Sequence, residues 1–168
     1  MGNGKSSHTE EDNEDKVSCT HRHIMVNFVL KTKTGLYLKL MNDSGEPKLQ
    51  AIEVQNEITN APRVGIIHWK TWMAFRFHDE GKDYLLKVKE KKLMLEVCNS
   101  QTEQQLSEDY WFQRVNLGTG EHYGLQTVRS NQYLCIQEYD PSVTYEPKVT
   151  LTENKQSCLP VRRMEVHT

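Results

Sequence analysis

Asp83-Tyr84-Leu85-Leu86-Lys87-Val88 runs into the charged stretch Lys89-Glu90-Lys91-Lys92. Leu86-Lys87-Val88 has the two-residue period of a half-buried strand, and the charges after it read as the tip of a hairpin. Leu38, Leu86 and Leu134 are spaced by 48 residues, and Leu40, Val88 and Ile136 repeat that spacing two positions later, on the same strand face. Upstream, without a gap, Val29, Phe77 and Leu125 fall in the same register, with the turn-type residues Gly35, Asp83 and Asn131 between the two strands. Downstream the register loosens: third strands centre on Leu49, Leu93 and Val149, and fourth strands on Ile67, Phe112 and Met164.

Working outward, short runs broken by turn residues extend over Val26 to Thr32, Leu36 to Leu40, Lys48 to Ile52, Val64 to Trp69, Met73 to Phe77 and Tyr84 to Val88. They continue through Leu93 to Val97, Tyr110 to Val115, Tyr123 to Val128, Tyr133 to Gln137, Val149 to Thr152 and Val161 to Val166. A four-strand unit is either a propeller blade or one lobe of a β-trefoil. A propeller needs at least four blades to close, and this chain holds three units. The pattern therefore predicts an all-β protein, a β-trefoil of three four-strand lobes, in which six strands close a barrel and three hairpins cap one end. Val29, Leu38, Leu40, Phe77, Leu86, Val88, Leu125, Leu134 and Ile136 are the expected inward positions. The polar stretch Gln101 to Glu108 is the only helix-like segment, short enough to be a loop.

The trefoil is expected over residues 24–168. Residues 1–23 hold Lys5, Lys16 and Arg22 against Glu10, Glu11, Asp12, Glu14 and Asp15, with little to bury, and read as a disordered acidic tail or pro-segment. The remaining Lys and Arg balance the remaining Asp and Glu, so the charge of -2 lies in the tail. A neutral body lacks the basic surplus of sequence-independent nucleic-acid binding. No run approaches the roughly 18 apolar residues of a span, and the N-terminus lacks an apolar h-region, so classical secretion is not expected. Cys19, Cys98, Cys135 and Cys158 are unevenly spaced and read as reduced thiols: Cys98 and Cys135 buried, Cys158 in a more exposed loop.

No nucleophile elbow, phosphate loop, dinucleotide fingerprint or metalloprotease pair occurs, so neither an enzyme nor a cofactor is expected. Cys19-Thr-His21-Arg-His23 lacks a second ligand pair at zinc spacing. Gly118-Thr-Gly120 reads as a hairpin turn, and Asn42-Asp43-Ser44 is a glycosylation sequon. Met1-Gly2-Asn3-Gly4-Lys5-Ser6 fits N-myristoylation at Gly2, and one acyl chain gives only marginal membrane binding, so no stable membrane insertion is expected.

In the third unit Tyr110-Trp-Phe-Gln-Arg-Val115 resembles the aromatic strand that opens the last lobe of interleukin-1 family cytokines. Leu125-Gln-Thr-Val128, Tyr133-Leu-Cys-Ile136 and Lys148-Val-Thr-Leu-Thr152 then resemble, in order, that family's F-x-S-A, F-L-C-T and P-V-x-L-T strands. Lys91-Lys-Leu-Met-Leu-Glu-Val97 is similar to its second-lobe L-x-L-E-x-V strand. Asn131 stands where the family usually has Pro, Ile136 where it has Thr, and Val29-Leu30-Lys31 where several members carry aliphatic-x-Asp.

The resemblance implies a monomeric ligand, agonist or antagonist, of an interleukin-1-type receptor ectodomain of immunoglobulin type, made in the cytoplasm and released by a non-classical route. Candidate contacts are Lys31 and Lys33 in the first-lobe turn, Lys89, Glu90 and Lys91 in the second-lobe hairpin, and Lys155 in the loop Asn154 to Ser157. Two alternatives stay open: an N-myristoylated intracellular trefoil that binds cytoskeleton or membrane, and a fibroblast growth factor-like ligand. Thr34-Gly35-Leu36-Tyr37-Leu38 resembles the repeats of the second, but Glu121, Glu138, Asp140 and Glu146 stand in the lobe where that family's heparin site needs a basic cluster.

Overall fold

The computed structural model describes residues 24–43, 45–56, 60–99, 106–137 and 147–166. The strands are β1 Ile24–Thr32, β2 Tyr37–Met41, β3 Lys48–Ile52, β4 Val64–Trp69, β5 Trp72–Asp79 and β6 Lys82–Lys89. They continue as β7 Lys92–Val97, β8 Phe112–Thr119, β9 His122–Thr127, β10 Tyr133–Ile136, β11 Val149–Thr152 and β12 Val161–Glu165. All pairings are antiparallel. β1 pairs with β4, β4 with β5, β5 with β8, β8 with β9, β9 with β12 and β12 with β1, so six strands close a barrel and leave no barrel edge. Hairpins β2–β3, β6–β7 and β10–β11 hang from β1, β5 and β9 and cap one end. This is the three-lobed trefoil that the repeat predicts.

Leu38, Leu86 and Leu134 are each 1% exposed and share one core cluster with Leu40, Val88 and Leu125, while Ile136 is half-buried against it. The third strands match as expected: Leu40 faces Leu49, Val88 faces Leu93 and Ile136 faces Val149.

The register upstream of the turns differs from the sequence reading. Tyr37, Leu85 and Tyr133 pair with Lys31, Arg76 and Gln126, which makes Leu30, Phe75 and Leu125 the equivalent core residues. Val29 is buried, but its neighbour Leu30 joins the core. The cause is the turn chemistry. In lobes one and three a buried threonine closes a wide turn: Leu36 N donates to Thr32 Oγ1 at 2.9 Å, and Gln132 N donates to Thr127 Oγ1 at 2.9 Å. Gly35 (φ 92°) and Asn131 (φ 54°) supply the left-handed residue of each turn. Lobe two puts Phe77 at that level and turns tightly at Glu80 (φ 46°) and Gly81 (φ 80°), so Asp83 lies inside β6 rather than in a turn. Residues 110 and 111 also leave the expected strand. Glu108–Tyr110 is a 3₁₀ turn, and Trp111 (0% exposed) packs with Ile67, Ala74, Leu85 and Leu106 in a second cluster.

Candidate functional site

The six candidate contact residues lie on or beside three loops whose backbone geometry is set locally; Lys31, expected in the first-lobe turn, is inside β1, because it pairs with Tyr37 and Arg162, and Lys89 ends β6. In the first turn, Lys33 is exposed and its N–H donates to Pro160 O at 3.1 Å, which ties this turn to the chain entering β12. Lys31 is half-buried, its ammonium 5.2 Å from the Tyr37 ring centre. In the second, Glu90 (φ 53°) and Lys91 (φ 62°) form a two-residue turn between the facing pair Lys89 and Lys92. Two positive φ values are the type I′ geometry that matches strand twist, although Asn-Gly is its usual sequence. In the third, Asn154 Oδ1 accepts from Gln156 N at 3.0 Å and caps the 3₁₀ turn Lys155–Ser157.

The structure brings the second and third loops together. Lys91 Nζ is 3.9 Å from Glu153 Oε1, and Gln132 Nε2 donates to Lys91 O at 3.3 Å. Lys89, Glu90, Lys91 and Lys155 are thus exposed on two adjoining loops, whereas Lys31 on β1 and Lys33 in the turn after it stand apart. With side chains 72% and 76% exposed, Lys91 and Glu153 form a pair that contributes little to stability. Its charges are available to a partner.

The hairpin that carries this loop is anchored at its base by a group that sequence spacing did not single out. Glu96 Oε2 accepts from Lys87 Nζ at 2.8 Å and from Tyr110 Oη at 2.6 Å. Burial raises the Glu96 carboxyl, but the hydrogen bonds from Lys87 and Tyr110, with the Lys87 and Lys89 charges, outweigh it and hold the carboxyl below its ordinary value. Burial first, then the Glu96 carboxylate, push Tyr110 well above the ordinary phenol range. The two ends of the bond lie on β7 and on the turn that enters β8, and both fall in segments that carry the cytokine resemblance.

Cys158, expected to be exposed, is 7% exposed and packs into the notch left by Gly124, while Cys135 is equally buried and Cys98 half-buried. Burial raises the Cys135 and Cys158 thiols, which suppresses thiolate reactivity. Gly118 and Gly120 (both φ 71°) flank the end of β8: Gly118 lies inside the strand, where the register with β9 shifts, and Gly120 stands in the turn to β9. Among the described residues no group of His, Cys, Asp and Glu is arranged to hold a metal, and no helix is long and apolar enough to cross a membrane. Gly2, the acidic tail, His21, His23, Ser44 of the sequon, Gln101 and Glu138 lie outside the described residues.

No protein-family model and no curated protein matches this sequence. Solved structures match by shape. The cytolethal distending toxin from Actinobacillus actinomycetemcomitans superposes with TM-score 0.61 at 14% identity, over 84% of this chain and 93% of that one. ThreeFoil, a designed 3-fold symmetric protein, matches at TM-score 0.56 and 13% identity, over 83% of this chain and 98% of its own. A water-soluble chlorophyll protein from Brassica oleracea var. Botrytis matches at TM-score 0.59 and 10% identity, over 90% and 94%. At such identities the likeness shows the trefoil-like fold alone.

Proposed function

We propose that the chain is a receptor ligand of the interleukin-1 type, released from the cytosol by a non-classical route and bound by an immunoglobulin-type ectodomain. The observation that carries this reading is the placement of the resembling segments. Residues 112–115, 125–127, 133–136 and 149–152 lie on β8, β9, β10 and β11 in the order of the resemblance, and Glu96 of the second-lobe segment accepts the Tyr110 hydroxyl. A trefoil serves many unrelated functions, so the weight rests on these residues rather than on the fold. The adjoining Lys89–Lys91 and Glu153–Lys155 loops offer the charged contact face.

Surface plasmon resonance of the full chain, and of a chain beginning at Ile24, against interleukin-1-type receptor ectodomains tests the proposal. Saturable binding is expected, with slower association and weaker salt dependence for the combined Lys89→Ala, Lys91→Ala and Lys155→Ala variant. Failure of both forms to bind any ectodomain of that class overturns it. Co-sedimentation of the acylated chain with membranes or actin would then favour the lipid-anchored reading.

A further inference from the structure

The barrel end opposite the hairpin cap concentrates cations at inward-facing positions. Directly opposed residues of an antiparallel pair share a sheet face. Leu30, Phe75 and Leu125 are core, and their partners are Arg163, Ile66 and Arg114. Two arginines therefore take the place on this sheet face that buried Ile66 fills in lobe one; Arg163 is half-buried there and Arg114 is exposed at the barrel mouth. Arg114 Cζ is 4.4 Å from the Tyr123 ring centre and Arg163 Cζ is 4.8 Å from that of Phe28, so each is held by its flat face. Arg163 Nη1 also donates to His68 Nε2 at 3.0 Å.

Beside them a hollow of about 400 Å³ is lined by His68, Lys70, Thr71, Met73, Gln113 and Arg114. Lys70, on the exposed β4–β5 turn, has its ammonium 4.4 Å from the Trp69 ring centre. Among the described residues, Lys70, Arg114 and Arg163 form no ion pair with a carboxylate; Glu121 is taken by Arg162, and Glu165 is exposed at the end of β12. Stacking satisfies the faces of these cations but leaves N–H donors at their edges, and crowding like charges without a counter-ion is unfavourable.

We propose that this mouth binds the tetrahedral oxyanion of a phosphate or sulfate ester, with Arg114 and Lys70 as its donors and Arg163 completing the cationic rim. The guanidinium fork suits bidentate contact with such a group, and Lys70 adds a point charge. This site is separate from the Lys89–Lys155 face.

Titration of the full chain with inorganic pyrophosphate and with a fully sulfated disaccharide tests the proposal, read by tryptophan emission, because Trp69 lies against Lys70, and by the melting temperature. Saturable binding is expected. Binding of pyrophosphate alone assigns a phosphate group, binding of the disaccharide alone a sulfate ester, and binding of both a shared oxyanion site. Lys70→Glu and Arg114→Gln should each weaken binding at least about tenfold. Lys82→Glu, on the exposed start of β6, should leave it unchanged. If Arg114→Gln fails to fold, Lys70→Glu carries the decision, since its side chain packs in no core cluster. No binding of either probe at millimolar concentration, or an equal loss in Lys82→Glu and Lys70→Glu, overturns the proposal.

Discussion

Gly124 is buried on β9 without a side chain because the Cys158 thiol fills its place, and an added Cβ would collide with that sulfur. Gly124→Ala should therefore cost about 1 to 3 kcal/mol. Combined with Cys158→Ala it should cost less than the sum of the two single changes, a coupling that urea denaturation of the four chains measures. Leu38, Leu86 and Leu134 test the repeat itself: each change to Ala should cost roughly 2 to 5 kcal/mol. A much smaller loss at one of the three would show that the lobes are not equivalently packed. Tyr110→Phe removes the hydroxyl that Glu96 accepts. The Glu96 carboxyl is held below the ordinary carboxylate value, so the stability it contributes is present above that ordinary value and is lost as pH falls through the lowered folded-state value. The variant should cost about 1 kcal/mol at pH 7, kept small by the 40% exposure of the Glu96 side chain, and less at pH 3. Urea midpoints at the two pH values check this. The three leucines were legible because periodicity reports burial directly. The Gly124–Cys158 and Tyr110–Glu96 contacts were not, because each joins residues that only the closed fold brings together.

The β6–β7 turn carries a conformational cost that its residue types do not relieve. Glu90 and Lys91 both have positive φ, which disfavours side chains other than Gly and, to a lesser degree, Asn or Asp. Glu90→Asn with Lys91→Gly should stabilise the chain by about 1 kcal/mol, read as a higher urea midpoint with an unchanged slope. If Lys91 belongs to the receptor face, the same change should weaken receptor binding, so stability and affinity move in opposite directions. The elements also show where sequence reading stops. The spacing of 48 places the second strand of every lobe, because Leu38, Leu86 and Leu134 are read after the turn. It misplaces the core position before the turn in lobes one and two, because the threonine-closed turn of lobe one, from Thr32 to Leu36, is one residue shorter than that of lobe three, from Thr127 to Gln132, and lobe two uses a Glu-Gly hairpin instead. The candidate loops were visible as charge and turn signals, but the contact between Lys91 and Glu153 depends on how lobe three packs beside lobe two.

At the scale of the molecule, ring closure joins strands that are distant in sequence. β12 supplies a ladder to β1 and another to β9. A chain ending at Pro160 would expose both edges and lose Val161, which is 0% exposed. It should show no cooperative thermal transition by calorimetry. The architecture was legible because three units of four strands leave few ways to hide every edge. The cationic mouth was not, since Arg114 and Arg163 read as unrelated surface charges until the register sets both on the core-facing side of the sheet, at the barrel mouth. The pairing of Phe28 with Glu165 also sets the first and last described strands side by side. The order in which the chain visits the barrel is therefore separable from the barrel itself. A circular permutant, with residues 24 and 166 joined by a short flexible linker and new termini opened between Glu80 and Gly81, would keep every ladder while starting synthesis in the second lobe.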